Sequence, residues 1–359
     1  MQPLLPQTTT FSSTVQINTE VHEPQLSRRK FNRPSQLDLK FIAMTTIFDI
    51  PGTNLPNPFT PIVDEYLSHS ASQFSSPSVD RTASLVVEKV TACPDPGNAL
   101  YLLWDAFFNS IVHTTSTSFD SHLTLLSSIR AHPPTKPTNL LPGSDREKTL
   151  LTSGHLQPDG LFHWSRPPLF PAQWRDTHDI LEAWRNWDGI RPSTGTSTLS
   201  ATPAEYFLRF VTFSAVLLSQ TGNAGGVHPI NVFYAARNIL ERQGMHAKEG
   251  EPGHTTGGEH KLDAQQVWEL DVRVTAIWLK YGGRALWEMD GAYLREHYAR
   301  TLDWKTDLWN EGRGLTKERW DLWRGRLRDL EGEMEGETQK AAREASAVVE
   351  GLLVAEEGI

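Results

Sequence analysis

Six side chains between residues 246 and 260 have the chemistry to hold a metal. His246, Glu249, Glu251, His254, Glu259 and His260 supply the imidazole and carboxylate types that bind zinc. Their spacing matches no established site, and the glycine-rich loop carrying them would lose conformational entropy in closing on an ion. A solvated polar loop is therefore the preferred reading of His246, His254 and His260, and no cofactor is expected. Cys93 is the one cysteine; it precedes Pro94 with no activating His or Arg in the neighbouring sequence, so it reads as a structural thiol. A lone cysteine excludes an internal disulfide and any multi-cysteine zinc or iron–sulfur centre.

Nucleotide and acyl-transfer chemistry leave no signature. Gly222 to Gly226 lacks the Lys-Ser/Thr that completes a phosphate-cradling loop, Gly312-Arg313-Gly314 follows no expected strand, and no Gly-x-Ser-x-Gly elbow occurs. Tryptophan and arginine recur together in Trp184 to Arg191 and in Arg319 to Arg328, where aromatic faces and guanidinium groups suit a phosphate-bearing or protein ligand. Arg319, Arg324 and Arg328 are the candidate interaction residues. The competing reading is structural: Asp321 stands three residues before Arg324, so these charges form a solvated, salt-bridged face while Trp320 and Trp323 turn to a core. His113, ending an apolar stretch, reads as a packing or capping histidine that meets the last helix carbonyls.

The elements that must position these residues are helices. Asn98 to Thr114 is apolar nearly all round, as a central helix would be, and Phe119 to Ala131 is amphipathic. Pro171 begins a helix in which Trp174, Thr177, Ile180, Leu181, Trp184 and Trp187 recur at three- and four-residue steps. Pro203 to Gly222 and His228 to Arg242 read as an antiparallel hairpin, and Leu262 to Tyr281 as a helix stopped by Gly282 and Gly283. Thr316 caps a helix whose Trp320, Trp323, Leu327 and Leu330 form a stripe, with Arg319, Asp321, Arg324 and Arg328 away from it. Prolines break His132 to Pro171 into an irregular excursion with one short helix near Ser144 to Thr152. Strand signals are nearly absent. The expected fold is all-α, an irregular multi-helix bundle of antiparallel helix pairs.

Residues 1–43, rich in Gln, Thr, Ser and Pro, read as a disordered head, and 44–330 as a single helical domain with long loops near 132–170 and 244–261. Residues 331–359 read as an acidic surface helix or tail that frays. Hydrophobic residues at 38% and charged residues at 21% place the whole in the globular range. The 12 tryptophans then serve first as packing anchors. A net charge of −9 gives no strong nucleic-acid signal, because phosphate binding needs clustered Lys and Arg. No apolar stretch reaches the roughly 20 residues of a membrane span. The expected location is intracellular, cytoplasmic or nuclear.

The order of elements resembles a fungal family known only as a domain of unknown function, family 3632. The likeness rests on Trp174 with the Ile180 to Trp187 helix, on Tyr206 to Gly222 followed by Asn231 to Glu241, and on Glu318-Arg319-Trp320-Asp321-Leu322-Trp323 with Arg326. It spans roughly Pro61 to Leu330, and Met245 to Glu259 is glycine-rich material where the family has a shorter connection. The resemblance implies a helical fold and no established activity, so it assigns no site residue. The leading expectation is a non-enzymatic protein-interaction or scaffold domain with an unknown protein partner; the alternative is an enzyme or small-molecule binder with a site assembled between helices.

Overall fold

The structure, a computed structural model, describes residues 56–70, 78–114, 118–186, 201–243, 262–311 and 314–357. The head to residue 43, the loop with His246, His254 and His260, and Trp187 to Arg191 lie outside the described residues. Among the described residues the regular elements are helices, and the sole β pairing is an isolated bridge between Thr135 and Phe162. None of these helices is long and apolar enough to cross a membrane.

In chain order the helices are α1 (Thr60–Ser70), α2 (Val79–Thr91), α3 (Pro96–His113), α4 (Asp120–Ala131), α5 (Asp145–Thr152), α6 (Phe170–Trp184) and α7 (Pro203–Thr221). They continue with α8 (Ile230–Leu240), α9 (Ala264–Ile277), α10 (Gly283–Trp287), α11 (Gly291–Leu302), α12 (Lys317–Glu333) and α13 (Gly336–Glu357). Local chemistry sets many of the starts. Ser78 and Ser144 accept a first-turn N–H at α2 and α5, and Thr202 with Glu205 and Asp263 with Gln266 form reciprocal capping boxes at α7 and α9. Thr316 occupies the N-cap position of α12 but makes no side-chain cap; the first turn closes through the backbone, Arg319 N–H to Thr316 O at 3.1 Å.

The long, strongly apolar helices α3 and α7 pack on each other. α1 and α2 lie on α3, α4 lies on α2, and α6 bridges α3 and α7. Beyond α7 come α9 and the π turn Trp278–Gly282, then α8, and finally the α12–α13 pair. At the α3–α6–α7 junction Phe107, Phe108, Phe170, Phe210 and Phe213 are buried with Trp104, whose Nε1–H donates to Pro168 O at 2.7 Å. Leu169, at φ 67°, takes a left-handed conformation that costs about 1 kcal/mol. It turns the chain so that Pro168 meets that indole while Phe170 packs edge-on to it at 5.0 Å.

Three local expectations change. The proline-rich excursion is anchored: Phe162 and Trp164 are fully buried, Trp164 Nε1–H donates to Thr135 Oγ1 at 2.8 Å, and Thr138 N–H to Thr91 O at 2.9 Å. The tail after residue 331 is integral, because Ala342, Ala345, Val349, Leu352 and Leu353 of α13 bury one stripe against α9 and α12; its acidic residues lie mostly on the other faces. Gly282 and Gly283 do not stop a helix. The helix runs through them as a π turn into α10, and Gly282 wedges between α7 and α8, where the expected hairpin would have closed directly.

A side chain at Gly282 would place Cβ 2.8 Å from Val232 Cγ2 and 2.9 Å from Leu218 Cδ2. Gly282→Ala should lose about 1–3 kcal/mol in urea unfolding through overpacking. Gly283→Ala, where the nearest atom is Leu352 Cδ1 at 3.9 Å and φ is −57°, should be neutral or stabilising by up to about 1 kcal/mol. Equal effects of the two substitutions would contradict the wedge.

Candidate functional site

Arg319 and Glu241 are both completely buried. The guanidinium grips the carboxylate with two parallel bonds, Nε–H to Oε1 at 2.6 Å and Nη2–H to Oε2 at 2.9 Å. Nη1 donates to Leu302 O at 2.6 Å and to Gly314 O at 2.9 Å. Glu241 also accepts from Trp323 Nε1 at 2.9 Å and from Thr306 Oγ1 at 3.2 Å, and its backbone carbonyl accepts from Leu308 N–H at 3.0 Å. The guanidinium carbon lies 4.6 Å from the Phe233 ring centroid and 5.2 Å from that of Trp309. A buried ion pair offsets its desolvation only when further hydrogen bonds satisfy both ions, and here they do.

This placement corrects the reading of Arg319 as part of a solvated face with Arg324 and Arg328. Residues 319, 323, 327 and 330 recur at four, four and three, so Arg319 belongs to the same stripe as Trp323, Leu327 and Leu330. Reading the stripe as purely apolar hid it. Arg324 does pair with Asp321, Nη2 to Oδ1 at 2.9 Å, and Arg328 reaches Glu350 of α13. The three arginines therefore do not form one surface: one holds the core and two are engaged in ion pairs within the protein.

Two turns along α12 from Arg319, the same side of the helix reaches a cleft of about 610 Å³. Arg326, Asp329, Glu333 and Met334 form one wall. Gln265 and the half-buried Trp268 of α9 face it, and Gln243 and Leu308 close the end nearest the ion pair, two residues past Glu241 and at its backbone bond. Arg326 Nη1–H donates to Asp329 Oδ2 at 3.0 Å, whereas Arg326 Nε is buried with no acceptor in the protein. A buried N–H without a partner costs about 1–3 kcal/mol; this one is enclosed and is not presented to the cleft. No single stretch of sequence contains this constellation; its parts come from four stretches between Gln243 and Met334.

Other groups resolve into structure. His113 Nδ1 lies 3.0 Å from Asn109 O and its ring 4.9 Å from that of Tyr206, as a packing and capping histidine should. Cys93 is half-buried beside the core. On α6, His178, Asp179 and Glu182 come close enough to share a cation, but Arg185 stands 3.3 Å from Glu182 and ties to Asp271 at 2.8 Å, so a guanidinium already provides the positive charge.

Two buried titrating groups oppose each other. Burial pushes the Asp105 carboxyl up to about 6, despite a hydrogen bond from Asn57 Nδ2 at 3.2 Å, and burial pushes the His122 imidazole down to about 4, despite its bond to the Ser110 backbone. Between pH 4 and 6 the folded state binds more protons at Asp105, so stability falls as pH rises; at His122 the unfolded state binds more, so stability rises. The two slopes largely cancel in the wild type. Asp105→Asn should gain on the order of 2 kcal/mol over wild type above pH 6 and little near pH 4, while His122→Gln should keep more of its stability as pH falls from 6.5 to 4. Urea unfolding across pH 4–8 checks this; pH profiles parallel to wild type in both variants would contradict it.

No curated protein and no solved structure matches the chain. A family model described as Protein of unknown function (DUF3632) matches residues 104–327, more than half of the sequence. The matched span begins at Trp104 of the aromatic junction and takes in Glu241, Arg319 and Arg326, stopping short of Asp329. The chain belongs to this family of proteins of unknown function, DUF3632.

Proposed function

We propose that this protein is a helical binding module whose small-molecule ligand occupies the cleft between α9 and α12. The observation that carries the reading is the cleft itself, where the Arg326–Asp329 pair and Glu333 share the lining with Gln265 and Trp268. Concave sites of this size, with a few fixed polar groups beside an aromatic ring and aliphatic side chains, suit small ligands. The walls are pre-set, since Gln243, Leu308 and Arg326 are attached to the segments that the Arg319–Glu241 pair clamps.

The leading sequence expectation, a non-enzymatic protein-interaction or scaffold domain, rests on the absence of a catalytic constellation and on aromatics at core spacings, with Arg319, Arg324 and Arg328 as its candidate contact residues. Those residues now have internal partners, which favours the site assembled between helices. The test is native mass spectrometry of the untagged full chain after incubation with a metabolite extract and desalting. Wild type should retain a small-molecule adduct, and Leu308→Trp, which fills the cleft, should lose it with its melting temperature within about 3 °C of wild type. An adduct retained by Leu308→Trp, or a wild type that carries none, would contradict the proposal.

A further inference from the structure

Away from the cleft, His228 joins the start of α8 to α11. Pro229, at the N-cap position of α8, has no side chain to offer the first turn. Instead Ile230 N–H donates to His228 Nδ1 at 3.1 Å, while Asn231 donates to His228 O through its backbone N–H at 3.1 Å and through Nδ2–H at 2.9 Å. A backbone N–H can only donate, so His228 Nδ1 carries a lone pair and the ring proton sits on Nε2. Nε2–H then donates to Tyr298 Oη at 3.3 Å. The imidazole lies 5.1 Å from the Tyr298 ring and stacks at 6.2 Å on that of Tyr293. The neutral ring thus caps α8 with one nitrogen and holds α11 with the other.

Few side chains hold α11 otherwise. Leu294 and Leu302 are its buried residues, and Leu302 stands at the far end, where its carbonyl accepts from Arg319. A proton on His228 Nδ1 would face the Ile230 N–H, removing the cap, and would set a cation at the positive end of the α8 dipole. Both costs vanish if the ring swings out, and Tyr293 and Tyr298 then lose their partner. The titratable groups facing the ring are Tyr293, His297 and Tyr298 of α11, with Tyr234 of α8 acting on Tyr298. His297 donates Nδ1–H to Tyr293 O at 3.0 Å, which leaves its Nε2 able to take a proton and repel a charged His228. Burial first, and His297 second, hold the His228 imidazole below the ordinary 6.5, and among the described residues no carboxylate offsets them. The closed arrangement therefore binds the proton less tightly than an opened one, so opening grows as pH falls below about 6.5. We propose that His228 is an acid-sensitive latch, whose protonation frees the first turns of α11 from the start of α8 while Arg319 keeps the end of α11 in place.

Hydrogen exchange read by mass spectrometry on the full chain, corrected for the intrinsic pH dependence of exchange, tests the latch between pH 7.5 and 5.5. Amides of residues 292–298 should lose about threefold or more in protection, since one linked proton allows up to about tenfold per pH unit. Those of residues 320–330 in α12 should not follow. His228→Asn, whose carboxamide oxygen can still accept from Ile230 N–H but takes no proton, should hold the protection of 292–298 level across the same range. His297→Gln, which removes the repelling group, should shrink the loss without abolishing it. Unchanged protection in wild type, an equal loss in His228→Asn, a loss abolished by His297→Gln, or α11 and α12 opening together would overturn the proposal.

Discussion

Everything in the second half of the chain hangs on one buried contact, the bidentate clasp of Arg319 on Glu241. It is the meeting point of four segments: the residues just past α8, the end of α11, the connector through Thr306 and Gly314, and the first turns of α12. The connector between α11 and α12 has no large apolar face of its own. The connector carries Asp303, Trp304, Lys305 and Asp307 on the surface, so hydrophobic burial alone would not fix its path. The charges do so because each nitrogen of Arg319 and each oxygen of Glu241 has a defined partner, with Phe233 and Trp309 excluding water around them. Such a node adds specificity of arrangement more surely than it adds net stability.

The first half is organised differently. There α3 and α7 bury aromatic side chains on several faces, and the positioning interactions are indole N–H bonds to the backbone or a hydroxyl, as at Trp104, Trp164 and Trp174. The halves join at the π turn, where Gly282 lets Val232 and Leu218 approach the same backbone. The clasp and the wedge thus set the relative placement of α7, α8, α9 and α12, and the cleft lies downstream of both. Its polar residues are ordinary surface types beside Trp268, Leu308 and Met334; what makes them a candidate site is that rigid segments hold them in convergence.

The legibility of this molecule in its sequence follows the physics of each signal. Helices with strong periodicity and local caps were readable, among them Ser144 opening α5 and Pro171 in the first turn of α6, because the information lies within a few residues. Gly282 was misread because a glycine that ends a helix and one that admits a neighbouring helix look alike until the neighbour is present. Arg319 was misread because charge outweighed position: its step of four to Trp323 pointed inward, but only the distant Glu241, with no periodic mark of its own, makes that burial tolerable. The tail was misjudged for the reverse reason, its alanines and valines at inward positions being diluted by glutamates. The cleft could not be read at all, since Gln265, Arg326 and Glu333 become neighbours only through tertiary packing.

The central claim is that Arg319 and Glu241 act as one unit on which the α8, α11 and α12 segments depend. A double-mutant cycle by urea unfolding with Arg319→Met, Glu241→Met and the pair together tests it most directly. Each single change strands a buried charge and should lose about 3–5 kcal/mol, and the double should lose less than the sum of the two by about 2 kcal/mol or more. Losses that add to within about 0.5 kcal/mol, or a single change that leaves stability intact, would contradict the account.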